Sequence, residues 1–199
     1  MEDLSDTCRK KPFLKKAIAG MGVASPLLAW IVIGIAWKMN PWFNVLEDAY
    51  SDLGGQHATD PWIYNYGLVT VGVLMAFYGA LLACWARGKL GVIGASYLAL
   101  AGVFLVLIGV FHEGTRPHTF VSIWFFIQAD IALILLGGEF RDKPLGLTVL
   151  LSSLLAFPVA IAVGATVGWP STAVLETYGI LLIDYGVLAI THLVYRSTG

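Results

Sequence analysis

Charged side chains are scarce in this sequence. They make up 13% of its 199 residues, whereas soluble domains carry about 25%. Hydrophobic residues reach 58%, and the mean hydropathy is +0.78. This balance excludes an ordinary soluble domain and predicts a protein that lies mostly within a membrane.

The sequence also has few cysteines and a small net charge, and each of these excludes a class of protein. Two cysteines, Cys8 and Cys84, cannot build a disulfide framework, and we expect neither to be a functional site. The formal net charge is −1, and the only basic tract lies in the N-terminal tail. Nucleic acid is therefore excluded as an expected partner, and membrane lipids remain.

Long apolar runs are what the sequence has in abundance. After a basic tail at residues 1–16, six runs are long enough to cross a bilayer as helices, which takes about 20 residues each. The first run is too long for a signal peptide and lacks an Ala-x-Ala cleavage site. The expected fold is all-α, a polytopic six-transmembrane-helix bundle forming a single domain at residues 17–196. The predicted spans cover residues 17–37, 61–86, 90–111, 118–138, 144–167 and 171–195.

The distribution of basic residues predicts the orientation in the cell membrane. Segments that flank the spans on the cytoplasmic side are enriched in Lys and Arg. With both termini cytoplasmic, only Lys38 and Arg116 fall on the outer side. The other ten of the twelve basic residues are then cytoplasmic: Arg9, Lys10, Lys11, Lys15, Lys16, Arg87, Lys89, Arg141, Lys143 and Arg196.

Residues 40–60, called the 40–60 segment below, are a polar interruption between the first two spans. Apolar residues recur within it at helical spacing, and polar residues occupy the opposite face. The pattern predicts a short amphipathic helix at residues 41–53 that lies in the membrane interface, with its aromatic side in the lipid. We expect this helix to fold over the outer mouth of the bundle and to meet the linker between the third and fourth spans. Its apolar face comprises Trp42, Leu46, Ala49 and Leu53.

Small residues indicate where helices come close together. Gly67, Gly72 and Gly79 in the second span, and Ala95, Ala99 and Gly102 in the third, predict close helix contacts at these spans. Ala160, Gly164 and Gly168 form a second stripe, which fits either an internal contact or a homo-oligomer. The tryptophans are interpreted as interface anchors: Trp30, Trp37, Trp42, Trp62, Trp85 and Trp169.

Polar residues with chemical potential gather at the predicted outer face. A carboxylate beside a histidine can serve as base and orienting group, with serine or water as nucleophile. Asp52, His112 and His118 are also of a type that binds zinc, although their spacing matches no zinc motif. The structural alternative is that these residues only meet water between spans, with Arg116 paired to an acid of the 40–60 segment. The full set is Ser51, Asp52, Asn65, His112, Glu113, Arg116 and His118.

Two carboxyl groups, Asp130 and Asp184, lie near the middle of the predicted bilayer, about 18 Å along the fourth and sixth spans at 1.5 Å per residue. Placing a charge there costs about 2.5–3 kcal/mol or more, so such residues usually face the bundle interior and have a function. They could share a proton or line a ligand cavity; the alternative is that each is protonated and bonded to a neighbouring helix.

Asp130 lies roughly 120° around its helix from His118, so we expect the two to face different directions. Glu176, near the outer end of the sixth span, is expected to join the outer cluster.

Three sequence stretches together resemble the multi-pass membrane family called domain of unknown function 998, which is common in archaea and bacteria. These are Tyr50-Ser51-Asp52-Leu53-Gly54, Pro61-Trp62-Ile63-Tyr64-Asn65-Tyr66-Gly67-Leu68, and Ile108-Gly109-Val110-Phe111 with His118, Phe125 and Phe126 beyond. The resemblance covers most of the chain, and it departs at His112, where the family often has proline before the glutamate. It implies that Ser51, Asp52, Asn65, Glu113 and His118 are a polar signature on one membrane face, and it implies no activity.

Two functions from different classes fit these observations. One is a lipid hydrolase or headgroup-remodelling enzyme, in which Ser51, Asp52, Glu113 and His118 are catalytic. In that case Asn65 and Arg116 contact the substrate, and zinc is compatible with Asp52, His112 and His118. The other is a non-enzymatic protein that binds or moves a lipid or small amphiphile, with Asp130 and Asp184 lining its cavity. A b-type haem carrier is disfavoured, since it needs two histidines facing each other at one depth, and His192 lies at the opposite membrane face from His112 and His118.

Overall fold

In a computed structural model of the protein, residues 12–197 are described and six long helices dominate the fold. All six are long and apolar enough to span a membrane, so the predicted all-α bundle is confirmed. The described residues include no strand. Cys8 and residues 1–11 of the predicted basic tail lie outside the described residues. The helices are α1 (Pro12–Met39), α2 (Pro61–Trp85), α3 (Lys89–Val110), α4 (His118–Glu139), α5 (Pro144–Thr166) and α6 (Thr172–Arg196).

The helices form a closed bundle. Each helix packs against its neighbour in the chain, and α6 packs against α1 and α4 as well as α5. Because α6 returns to α1, the Lys15 ammonium donates a hydrogen bond to the carbonyl of Ser197. Both ends of the described chain therefore lie at one end of the bundle, here called the terminal end. The opposite end, which carries the 40–60 segment and the α3–α4 loop, is called the loop end.

The closest helix pair is α2 with α3, where small residues interlock. A Cβ added to Gly79 would fall 2.4 Å from the backbone nitrogen of Ala99, and one added to Gly102 would fall 2.4 Å from that of Ala76. Backbones can approach this closely only where side chains are small, and dispersion contacts then supply much of the association in lipid. Close contacts are predicted at the small residues of each span, and the structure shows that Gly72, Gly79 and Gly102 make theirs with the other helix of this pair.

The 40–60 segment differs from the amphipathic helix predicted at residues 41–53. It begins with turns, forms a 3₁₀ helix at Tyr50–Gly54, and continues in turns and bends to residue 60. Local side-chain bonds account for the difference. Asn44 Oδ1 accepts from the Leu46 N–H at 3.1 Å, and Asp48 Oδ2 accepts from the Asn44 N–H at 2.7 Å. Such short polar side chains offer the backbone partners that compete with a continuous helix.

The apolar side chains of the 40–60 segment also point differently from the prediction. Phe43, Tyr50 and Leu53 are buried in the bundle, and the Phe43 and Tyr50 rings stack with centroids 5.7 Å apart. Trp42 and Leu46 are exposed. Part of the face predicted to enter lipid instead forms a plug over the loop end of the bundle.

The start of α6 anchors this plug. Ser171 Oγ donates to the Val45 carbonyl at 2.6 Å, and the Ala173 N–H donates to the Asp48 carbonyl at 2.9 Å. Tyr50 Oη lies 3.0 Å from Thr177 Oγ1. The 40–60 segment is thereby fixed over the mouth of the bundle, as the expectation required.

The small-residue stripe of the fifth span is interrupted in the structure. α5 ends at Thr166, and Gly168 lies beyond it with a φ of 76°, a left-handed conformation that terminates helices and favours glycine. Gly168 therefore does not continue the helical face of Ala160 and Gly164. The Trp169 indole covers the nearer part of that face by donating to the Ala160 carbonyl at 3.0 Å.

Candidate functional site

A cavity of about 480 Å³ lies between α4, α5 and α6 and reaches the loop end of the bundle. The 40–60 segment and the α3–α4 loop contribute its outer rim, and the three helices contribute its walls. Its polar lining residues are Ser51, Asp52, Glu113, His118, Thr119, Ser122, Asp130, Thr172, Glu176 and Tyr178. The remaining lining residues are Ala49, Ile123, Phe126, Leu133, Ala156, Phe157, Ala160, Leu175, Gly179, Leu182 and Ile183. The lining therefore contains carboxyl groups and one histidine but neither Lys nor Arg.

His118 and Glu113 form the best-defined polar pair of the cavity. His118 Nε2 lies 3.2 Å from Glu113 Oε2, with the histidine side chain 8% exposed and the glutamate 42% exposed. Glu113 belongs to the α3–α4 loop, and His118 is the first residue of α4. The short loop between them brings the two side chains together at the rim. The predicted pairing of a carboxylate with this histidine is present in the structure.

The other ring nitrogen determines the hydrogen-bonding state of His118. Nδ1 lies 2.8 Å from the Phe111 carbonyl oxygen, which can only accept a hydrogen bond. Nδ1 must therefore carry the proton, which leaves a lone pair on Nε2 in the neutral ring. The contact with Glu113 is then a hydrogen bond only when a proton lies on one of the two facing atoms, either on the glutamate or on Nε2. A histidine held in this way can accept a proton from a ligand, or bind a protonated carboxyl group.

Three further residues bring the 40–60 segment and α6 into the site. Ser51 is 9% exposed and, like Asp52 and Glu176, lines the cavity. Glu176 Oε2 accepts from the Tyr50 N–H at 2.8 Å, and Asp52 Oδ2 accepts from the Ala49 N–H at 2.8 Å. One oxygen of each carboxyl group thus holds the local fold. The expectation that Glu176 would join this cluster is confirmed.

Asp130 lines the same cavity as His118, contrary to the expectation that they face different directions. The lining residues of α4 include His118, Ser122, Phe126 and Asp130, each four residues after the last. Residues four apart advance by about 40° per step, so this row winds around the helix. Because α5 and α6 border the cavity on two sides, the row stays in contact with it along its length. The cavity therefore extends about 18 Å along α4 from its rim.

Asp184 lies in a different cavity from Asp130, and its hydrogen-bonding partner is Trp30. It lines a smaller space of about 100 Å³ that is bordered by α1, α2, α3, α4 and α6. Its Oδ2 accepts from the Trp30 indole N–H at 2.8 Å. Trp30 is thus a hydrogen-bonding partner within the bundle rather than an interface anchor, and Asp184 is paired with it rather than with Asp130.

Three residues of the predicted cluster have other positions. Asn65 donates through Nδ2 to the Gly54 carbonyl at 2.9 Å and so anchors the end of the 3₁₀ helix to α2. Arg116 is exposed on the α3–α4 loop and is not among the residues that line the cavity. His112 Nδ1 lies 2.9 Å from the Glu113 carbonyl oxygen within that loop. Their geometry indicates structural roles for Asn65 and His112.

The side chains proposed as zinc ligands do not fit a metal centre. Among residues 12–197, no group of three or more His, Cys, Asp and Glu side chains is placed to hold a metal ion. Asp52 and His118 line the cavity, but His112 is not among its lining residues. A structural zinc site has four ligands and a catalytic one has three.

Sequence reasoning missed two polar residues that line the cavity, and the sequence contained a signal for one of them. Ser122 lies four residues after His118, and Tyr178 lies two residues after Glu176. The helical spacing of Ser122 identifies it as a neighbour of His118. Tyr178 was not identifiable in this way, because its Oη donates to the Ala156 carbonyl of α5 at 3.0 Å, a contact set by helix packing.

The fold and cavity define a multi-pass membrane protein, a six-helix bundle with a polar-rimmed cavity that reaches its loop end. The chain belongs to the family described as "Protein of unknown function (DUF998)", whose model matches residues 23–193. The resemblance seen in the sequence motifs is thereby confirmed. A comparison with curated proteins found no match, and neither did a comparison with solved structures.

Proposed function

We propose that this protein binds a single-chain amphiphile, with the apolar chain between α4, α5 and α6 and the headgroup at the rim. The observation that carries the proposal is the cavity of about 480 Å³, whose rim is polar and whose walls are largely apolar. Ligand cavities are typically about 300–1,000 Å³, mostly apolar, with a few polar groups that orient the ligand. A cavity of this form suits a molecule with one polar end.

The charge of the rim favours a cationic headgroup. Asp52, Glu113 and Glu176 supply carboxyl groups there. The side chain of Glu113 is more accessible to solvent than that of His118, which it contacts. A phosphate or sulfate headgroup would meet carboxylates without a Lys or Arg to pair with it. An ammonium group would instead gain charge-assisted hydrogen bonds. We therefore infer an amine headgroup; a quaternary ammonium has no N–H and would be held by charge attraction alone.

Binding of amphiphiles that share one alkyl chain tests this proposal. With the protein in amphipol, an alkylamine should bind at least about tenfold more tightly than the matching alkyl sulfate, since a hydrogen bond to a charged group contributes about 1.5–3 kcal/mol. Glu176→Gln should reduce this difference while keeping an oxygen that accepts from the Tyr50 N–H. Glu47→Gln is the matched control, because Glu47 is exposed and outside the cavity.

Two outcomes would contradict the proposal at different levels. Equal affinity for amine and sulfate would reject the headgroup assignment. Absence of binding for every member of the series, in a protein that unfolds cooperatively, would reject amphiphile binding itself.

A hydrolytic reaction in the same cavity is the second candidate. His118 favours it, because its Nδ1 is anchored to the Phe111 carbonyl and its Nε2 faces the cavity beside Glu113. Such a histidine can remove a proton from water or from Ser51, which lines the same cavity. Incubation of the protein with an ester of the same alkyl chain, followed by mass spectrometry, distinguishes the two, since an enzyme adds water across the ester bond and accumulates the free acid and alcohol.

We also propose that the protein lies in the cell membrane with its terminal end on the cytoplasmic side. The support is the bias of Lys and Arg toward segments at that end of the bundle. The cavity rim then faces the outside of the cell. An amphiphile would reach it from the outer leaflet or from the external solution.

A further inference from the structure

The large cavity of the proposed site and the smaller cavity around Asp184 share a wall. Five residues line both: Ser51, Ser122, Phe126, Glu176 and Ile183. Ser51 and Glu176 belong to the polar rim, whereas Phe126 lies eight residues into α4, about 12 Å from its start. Phe126 is therefore the largest side chain that separates the two spaces below the rim.

The Phe126 ring is held in place from two sides. Its ring contacts the Phe125 ring edge-to-face, with centroids 5.0 Å apart and an interplanar angle of 64°. On α6, a Cβ added to Gly179 would fall 2.7 Å from Phe126 Cε1. The ring thus occupies the space that a side chain at position 179 would fill. This contact places it directly between α4 and α6, where the two cavities adjoin.

The space behind Phe126 is suited to an apolar chain. The smaller cavity is lined on that side by Leu68, Met75, Leu105 and Ile108, in addition to Asp184, whose carboxylate is hydrogen-bonded to the Trp30 indole. A chain that enters from the rim and runs along α4 meets the Phe126 ring before it can reach this space. Removing the ring would join a volume of about 480 Å³ to one of about 100 Å³.

We propose that Phe126 is a specificity-determining residue that limits the length of the alkyl chain the protein accepts. This inference rests on the proposed function, since it concerns an amphiphile bound in the same cavity. In the wild-type protein, affinity should rise with chain length until the chain fills the large cavity, and then level off. Each methylene that becomes buried should increase affinity about fourfold.

The test is a titration with a homologous series of alkylamines against Phe126→Ala, measured by displacement of a fluorescent alkylamine from protein in amphipol. In the variant, affinity should continue to rise beyond the chain length at which wild type levels off. The larger Phe126→Trp should move the limit to shorter chains. Phe120→Ala is the matched control, because Phe120 lies on the same helix but is 58% exposed outside the cavity.

The outcomes separate the two proposals. If wild type binds the series and the limit is the same in Phe126→Ala and Phe126→Trp, the role of Phe126 is overturned and amphiphile binding stands. If Phe126→Ala does not fold, Phe126→Leu should still move the limit to longer chains, and an unchanged limit again overturns the inference. If wild type binds no member of the series, both proposals fail.

Discussion

Asn40 connects the two ends of the 40–60 segment through its buried amide. Its Nδ2 donates to the Ala36 carbonyl at 2.8 Å, and its Oδ1 accepts from the Thr59 N–H at 2.6 Å and from the Trp42 indole at 3.1 Å. The residue is 0% exposed. Both the end of α1 and the approach to α2 are therefore held by one side chain, which positions the plug that forms the cavity rim.

Replacing Asn40 with alanine should lower the free energy of unfolding by about 1–3 kcal/mol, because the Thr59 N–H and the carbonyl of buried Ala36 lose the amide that they bond to. Thermal unfolding in detergent measures the change. Asn44→Ala is the control, since Asn44 is exposed and its Oδ1 accepts only within its own turn, from the Leu46 N–H. Equal effects of the two substitutions would mean that Asn40 does not join the segment ends.

Single residues also show where sequence reasoning reaches its limit. Glu176 could be assigned to the outer cluster because its depth follows from its position along one helix. The partner of Asp184 could not be identified, because Trp30 lies 154 positions away and meets it only after α1 and α6 pack. Periodicity describes one helix at a time, whereas these contacts depend on the relative placement of two.

At the scale of elements, the spans were predictable and the 40–60 segment was not. Hydropathy identifies a span because every backbone group within lipid must be satisfied inside its own helix. In the 40–60 segment, the side chains of Asn44 and Asp48 accept hydrogen bonds from nearby backbone N–H groups, which competes with helix formation. Burial of Phe43 and Tyr50 in the bundle also favours turns over a helix. The location of the predicted segment was therefore right, while its conformation was set by tertiary contacts.

The α2–α3 contact should be sensitive to a single methyl group. Gly102→Ala would place a Cβ against the backbone of Ala76, so the helices must separate, at an expected cost of about 1–3 kcal/mol. Thermal unfolding should show a midpoint several degrees lower. Gly34→Ala is the control, because a Cβ there meets nothing within 4 Å. A Gly102→Ala midpoint equal to that of Gly34→Ala would contradict the close approach.

At the scale of the whole molecule, the six spans place the cavity rim at the loop end of the bundle and residues 12 and 197, the ends of the described chain, at the terminal end. The side on which each end lies can be tested with single cysteines after Cys8 and Cys84 are replaced. Gln56→Cys is exposed at the loop end and should react with a membrane-impermeant maleimide in intact cells. Lys143→Cys, exposed in the α4–α5 turn at the terminal end, should react only after permeabilisation. The reverse pattern would invert the proposed orientation.

Contact between α1 and α6, seen in the Lys15–Ser197 hydrogen bond, has a consequence for biogenesis. A ribosome synthesises α1 before α6, so α1 is present in the nascent chain before its partner. Until α6 is inserted, Trp30 lacks its aspartate partner, and Tyr50 has neither its glutamate nor its threonine contact. A nascent chain truncated before residue 172 would thus carry unsatisfied polar groups and an uncovered aromatic plug, features that membrane quality control can recognise and remove.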